Sequence, residues 1–124
     1  MPYIFREVRT LQNAAKEGDG DCVELIRKHT NLRHTATWRQ GAQVFGNKTI
    51  IPGTAIATFV KGRYPNRATG NHAAFYIGQQ SEGIYIMDQW KGSGKPKISI
   101  RFLTTSNLSR KSLSDNPLAF YVVE

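Results

Sequence analysis

The sequence predicts an α+β fold, with N-terminal helices packed against an antiparallel sheet of five to six strands. Two observations carry that reading. Helical periodicity is confined to the first third of the chain, and after "NKTIIPGT" it gives way to five short runs rich in β-branched and aromatic residues. Helices first and strands after is the order of an α+β arrangement, not of alternating βα units. The chain has 124 residues, 40% of them hydrophobic, enough for one core, and reads as a single domain over 1–124.

Residues 5–16 read as a short polar helix leading to the turn "EGDGD". In "GDGDCVELIRK" (18–28) a second helix begins, with Asp21 as N-cap and Glu24 three residues on, as in a capping box. Val23, Leu25, Ile26 and His29 fall close to one helical stripe, and Asn31 is a stop. "TATWRQGAQV" (35–44) reads as another helix or helical turn. The strands are "TAIATFV" (54–60), "HAAFYIG" (72–78), "GIYIMDQW" (83–90), "KISIRFL" (97–103) and "LAFYVVE" (118–124). Gly, Pro, Asn or Ser breaks separate them, and "GQQSEG" is the turn of a hairpin.

Composition narrows the class of partner. An excess of 17 Lys and Arg over 9 Asp and Glu gives a formal charge of +8, which favours anionic partners such as nucleic acid, cell wall or an acidic lipid surface. The basic residues are scattered, with no run of five or more, so a nucleic-acid groove is not expected. "MPYIFREVRT" lacks the apolar core of a signal peptide, and no apolar run reaches 18 residues. The expectation is a protein made in the cytoplasm without a signal peptide and without membrane insertion. A single cysteine leaves no internal disulfide. No cofactor and no metal site are expected.

That cysteine is the first chemical candidate. As the first helical residue after Asp21, Cys22 has its sulfur near unpaired N–H groups and the positive end of the helix dipole, where a thiolate is favoured. The same N–H groups, that of Cys22 included, could hold the oxyanion of a tetrahedral intermediate. Gly18 and Gly20 would let a substrate backbone approach. Asp21 opposes a thiolate if its carboxylate points at the sulfur. The competing reading is a small buried packing residue, the commonest role of a free cysteine.

A cysteine nucleophile needs a base. His29 lies on the same helix, roughly 10 Å along at ~1.5 Å per residue, too far for a hydrogen bond. His34 sits in a polar loop without an orienting partner. His72 opens a strand, after the loop "RYPNRATGN", and the hairpin returns to "MDQW". Either Asp88 or Gln89 could accept a bond from one ring nitrogen and leave the other free as base; the hairpin register decides which.

These residues resemble the papain-like cysteine peptidases. "NHAAFYIG…GIYIMDQWKGSG" is similar to that family's His-Ala strand followed, one hairpin later, by an Asn-Ser-Trp-Gly segment. The size, "IIPGTAIATF" and "HAAFYIG" look more like the bacterial cell-wall branch, NlpC/P60 and CHAP. The resemblance covers residues 15–103 and implies Cys22 as nucleophile, His72 as general base and Asp88 as the residue orienting His72. Trp90 would shield that last bond, and Gln89 is the alternative orienter. Three departures stand out: Thr54 where the wall enzymes have Asp after Pro-Gly, Asp88 for Asn, and no glutamine shortly before Cys22. The implied activity is hydrolysis of amide bonds in peptidoglycan stem peptides through a Cys22 thioester. Small leaderless members include amidase toxins delivered into rival bacteria by type VI secretion. For those, the target's cell wall is the site of action and a cognate immunity protein the expected partner. The alternative is a non-catalytic basic module that binds wall polymer or nucleic acid.

Overall fold

The computed structural model describes residues 2–65, 67 and 69–124; Asn66 and Ala68, in the loop before His72, lie outside them. Its centre is a six-stranded antiparallel sheet. In chain order the strands are β1 (Gln40–Gln43), β2 (Ala55–Thr58), β3 (Ala73–Gln80), β4 (Gly83–Asp88), β5 (Ser99–Thr104) and β6 (Phe120–Val123). Their order across the sheet is β1-β6-β2-β3-β4-β5. The five predicted strands are all present, and Ser81 and Glu82 make the two-residue turn of the β3–β4 hairpin, with Gln80 opposite Gly83.

The helical half differs from expectation. One α-helix forms, α1 (Cys22–His29). Residues 5–16 hold only a 3-10 turn over Val8–Leu11. The chain then leaves helical geometry at Asn13, which has φ 66°. Its N–H bonds the Ile98 carbonyl, and Ile98 N–H bonds the Ala14 carbonyl. Those backbone groups find partners across the molecule, so the helix has no reason to continue. The 35–44 segment makes a 3-10 turn at Thr35–Thr37 and then the edge strand β1. Gly41 lies so close to the Val122 carbonyl that a Cβ there would sit 2.8 Å from it, a contact only glycine permits.

The core fills both faces of the sheet, as strand alternation dictates. Leu25 and Ile26 of α1 join Ala55, Ala57, Ala73, Phe75 and Met87 on one face. Val44, Ile56, Tyr76, Ile84, Ile86 and Phe120 make the other. Cys22, Leu25 and Ile26 form the buried i, i+3, i+4 stripe of α1. The small side chains of Ala55, Ala57 and Ala73, all fully buried, face the same cluster as the helix. α1 ends at His29, and Thr30 is its C-cap, ahead of the expected stop at Asn31. The Thr30 hydroxyl donates to the Ile26 carbonyl at 2.8 Å and accepts from Leu32 N–H at 3.2 Å.

The turn into α1 also departs from expectation. Asp21 occupies the N-cap position, but its side chain makes no capping bond. Asp19 acts locally instead, accepting the Asp21 N–H at 3.0 Å. That bond, with the ammonium of Lys91 beside it, holds the Asp19 carboxyl below its ordinary range. Glu24 packs against Gly18, and the Asp21 N–H that a capping box would give it goes to Asp19. Gly18 and Gly20 have φ values of 56° and 93°, and Gly20 is buried. Both conformations favour glycine, so both residues serve the turn.

Candidate active site

Three elements converge at one edge of the sheet. The start of α1 brings Cys22, the residue before β3 brings His72, and the last residue of β4 brings Asp88. All three are buried, His72 to 4% and Asp88 to 0% exposure. His72 is held from both sides. Its N–H bonds the Thr58 hydroxyl at 3.0 Å, and its carbonyl accepts the Thr58 N–H at 2.9 Å. Its Nε2 lies 2.8 Å from Asp88 Oδ2. With Nε2 donating to a carboxylate, Nδ1 is the nitrogen left for chemistry.

Electrostatics bind these groups into one unit. Burial alone would lower the His72 pKa, but the bond to Asp88 and the Cys22 side chain outweigh it, raising the value to about 9. Burial alone would raise Asp88; the bond to His72 and the charges of His72, Arg101 and Lys95 instead hold it below 3.8. The carboxylate carries three cationic neighbours. Arg101 Nε donates to Oδ2 at 2.8 Å, and Lys95 Nζ lies 3.1 Å from Oδ1. Lys95 and Arg101 also flank the Trp90 ring, at 4.8 and 4.9 Å from its centroid. Trp90 in turn meets His72 edge-on at 6.4 Å. Trp90 thus stands beside the histidine and is clamped by the cations that neutralise the charge of Asp88.

The other candidates separate. Gln89 does not bond His72. It is fully buried and turns to the loop before Cys22. Its Nε2 donates to the carbonyls of Asp21 at 2.7 Å and Glu17 at 3.0 Å. Its Oε1 accepts the Glu17 N–H at 2.8 Å. Successive residues of an extended chain point to opposite sides, so Asp88, the last residue of β4, meets the histidine while Gln89 meets the loop before Cys22. His29 pairs with Glu17 at 2.7 Å and stacks on Phe5 at 4.5 Å, away from Cys22. His34 caps the Thr35–Thr37 turn through Nδ1, which accepts the Ala36 N–H at 3.1 Å.

Tyr64, Lys95 and Arg101 complete the site, and sequence reading did not single them out. The Tyr64 hydroxyl lies 3.8 Å from Cys22 Sγ. Burial first, then the charge of Cys22, pushes its pKa well above 10, so the phenol stays neutral. Two open cavities meet at Tyr64. One, of about 350 Å³, holds Cys22, Arg27 and Asn71 on its walls; the other, of about 520 Å³, runs past Trp38 and Arg63. A third, of about 500 Å³, opens over His72 and Trp90 on the far side of Asn71. Among the described residues no cluster of three metal-ligating side chains occurs, and no helix is long and apolar enough to cross a membrane.

A sequence profile described as "Domesticated amidase effector 2" matches residues 7–123. The "Type VI secretion amidase effector 2 protein" of Salmonella typhi is 47% identical over the full length of both chains. The "Domesticated amidase effector 2" of the tick Ixodes scapularis is 36% identical over 84% of this chain and 70% of its own. A solved structure of "Type 6 secretion amidase effector 2 (Tae2)" superposes with a TM-score of 0.90 at 44% identity, covering 98% of this chain and 94% of that one. The chain belongs to the domesticated amidase effector 2 family.

Proposed function

We propose that this protein is an antibacterial effector that hydrolyses amide bonds in the stem peptides of peptidoglycan, with Cys22 as nucleophile. The observation that carries the reading is the Cys22–His72–Asp88 unit at one end of a groove, in a chain whose relatives are named amidase effectors. Cys22 Sγ attacks the amide carbonyl carbon as the thiolate partner of the His72 imidazolium, whose Nδ1 already holds the proton at neutral pH. The imidazolium returns that proton to the departing amine as the C–N bond breaks, leaving an acyl-thioester. His72 Nδ1 then takes one proton from water as its oxygen attacks the thioester carbon. The C–S bond breaks to return Cys22 as the thiolate beside the imidazolium, and the acid leaves as carboxylate with release of its proton. Asp88 holds the ring in the tautomer this sequence needs and stabilises the imidazolium.

The oxyanion of each tetrahedral intermediate has two donors at hand. One is the Cys22 N–H, at the first turn of α1 where helix N–H groups lack internal partners. The other is the neutral Tyr64 hydroxyl, 3.8 Å from Cys22 Sγ, a donor that serves in this reading for the glutamine the chain lacks before Cys22. A net charge of +8 favours retention on an anionic wall. Such an effector acts on the wall of a target cell, and a cognate immunity protein covering this groove would protect the producer.

Digestion of purified sacculi tests the assignment. Wild type should release stem-peptide fragments, and Cys22→Ala should release none above background. Equal release by Cys22→Ala would overturn the mechanism. No release by wild type, together with retention on sacculi, would favour a wall-binding module instead.

A further inference from the structure

The groove continues past Cys22 into the cavity of about 520 Å³, and the two spaces share His34, Thr35 and Tyr64 as walls. The chemistry of this second space is one-sided. Its polar side chains include Arg63 and His34, and none that lines it is an acid. Because His34 Nδ1 already accepts the Ala36 N–H, the neutral ring carries its proton on Nε2, a donor. Arg63 adds the planar fork of a guanidinium and forms no ion pair among the described residues.

Arg63 is also presented rigidly. Lys61 and Gly62 have φ of 52° and 80°, the geometry of a two-residue hairpin turn. Two backbone bonds close that turn, Val60 N–H to Arg63 O at 2.8 Å and Arg63 N–H to Val60 O at 3.1 Å. The floor is aromatic: Trp38 and Tyr64 meet at 5.0 Å between ring centroids. The Trp38 N–H is spent on the Arg33 carbonyl, so the ring offers the cavity only its apolar surface.

We propose that this arm of the groove is a subsite for a free carboxylate of the substrate, held by Arg63 with His34 Nε2–H. The carboxylate is one borne by the stem peptide beside the amide that Cys22 attacks, and its aliphatic stem rests on Trp38 and Tyr64. Cationic and neutral donors with no acid among the lining residues favour an anion, and a guanidinium favours a planar one. The proposal rests on the amidase reading and names what that site recognises. It also gives His34 a part in binding, where the sequence offered it only as a weak base.

The test uses two synthetic cross-linked stem-peptide dimers, one with free carboxylates beside the cross-link and one with those groups as primary amides. Wild type should cleave the free form with a KM about tenfold lower. Arg63→Gln should raise KM for the free form about tenfold, leave kcat near wild type and abolish the preference. Its rate of Cys22 alkylation by iodoacetamide should be unchanged, which separates lost binding from a damaged site. Arg110→Gln, an exposed arginine elsewhere, should retain the preference and controls for net charge. A wild-type enzyme that cleaves both dimers alike, or an Arg63→Gln variant that keeps the preference, overturns the subsite and leaves the amidase intact. Failure of wild type on both dimers and on sacculi overturns the amidase reading itself.

Discussion

Asp88 is the residue on which the site balances. One fully buried carboxylate answers His72, Arg101 and Lys95 together. Such a group is stable only because its partners are buried with it, and removing it strands them. Asp88→Asn should therefore lower kcat by about two to four orders of magnitude, because the His72 tautomer is no longer fixed. It should also cost about 3 kcal/mol or more in urea unfolding, because Lys95 is left buried without its counter-charge. Steady-state kinetics on sacculi and equilibrium denaturation check the two parts separately. A stability loss with an unchanged rate would make Asp88 purely structural.

At the scale of elements, the unit that matters is the end of β4 locked to the start of α1. Gln89 joins them through three bonds, to the Glu17 N–H and to the Glu17 and Asp21 carbonyls. Its neighbour Asp88 fixes His72, so one strand end sets both halves of the reacting pair. Gln89→Ala would leave the part-buried Glu17 N–H unpaired, at a cost of about 1–3 kcal/mol, while the Glu17 and Asp21 carbonyls lose one bond each but still accept the Gly20 and Glu24 N–H groups. The expected outcome is a loss of about 1–3 kcal/mol and faster hydrogen exchange at the Glu17 amide. Alkylation of Cys22 should slow, since the loop that positions it is released. Wild-type exchange at Glu17 would show that the loop is held by other means.

For the whole molecule, the buried imidazolium ties stability to pH. The ordinary histidine value is 6.5, and in the fold His72 holds its proton to about 9. The folded state thus binds a proton that the unfolded chain has released, so this contribution is full below pH 6.5. It declines as pH rises and is lost above about 9. Asp88, held below 3.8, contributes above that value and loses its contribution as pH falls through its folded value. The unfolding midpoint should fall by about 4 °C or more between pH 6.5 and 9, the shift of about 1 kcal/mol in a domain of this size. His72→Gln should flatten that slope. A flat wild-type profile over this range would mean that His72 is neutral in the fold.

Much of this was legible in the chain. Runs rich in β-branched and aromatic residues placed five strands, and the Gly-rich turn before an amphipathic stretch placed α1 with Cys22 at its first position. Those patterns are local: a strand buried on both faces reads as a short apolar run, and a helix buried on one face carries that face's period. What failed to be legible depended on partners distant in sequence. Residues 5–16 gave up a helix because Asn13 and Ala14 find Ile98, and residues 40–43 became a strand because β6 lies beside them. The split between Asp88 and Gln89 followed from hairpin register, which a one-residue slip would reverse. Lys95, Arg101 and Tyr64 carried no sequence signal, since a lysine, an arginine or a tyrosine in a loop or edge strand looks like surface until the fold closes over it. The sequence by itself determined which residues could do chemistry and which elements would carry them. Only the tertiary structure decided which of them meet, because burial, hydrogen bonding and charge act through distances that spacing along the chain does not set.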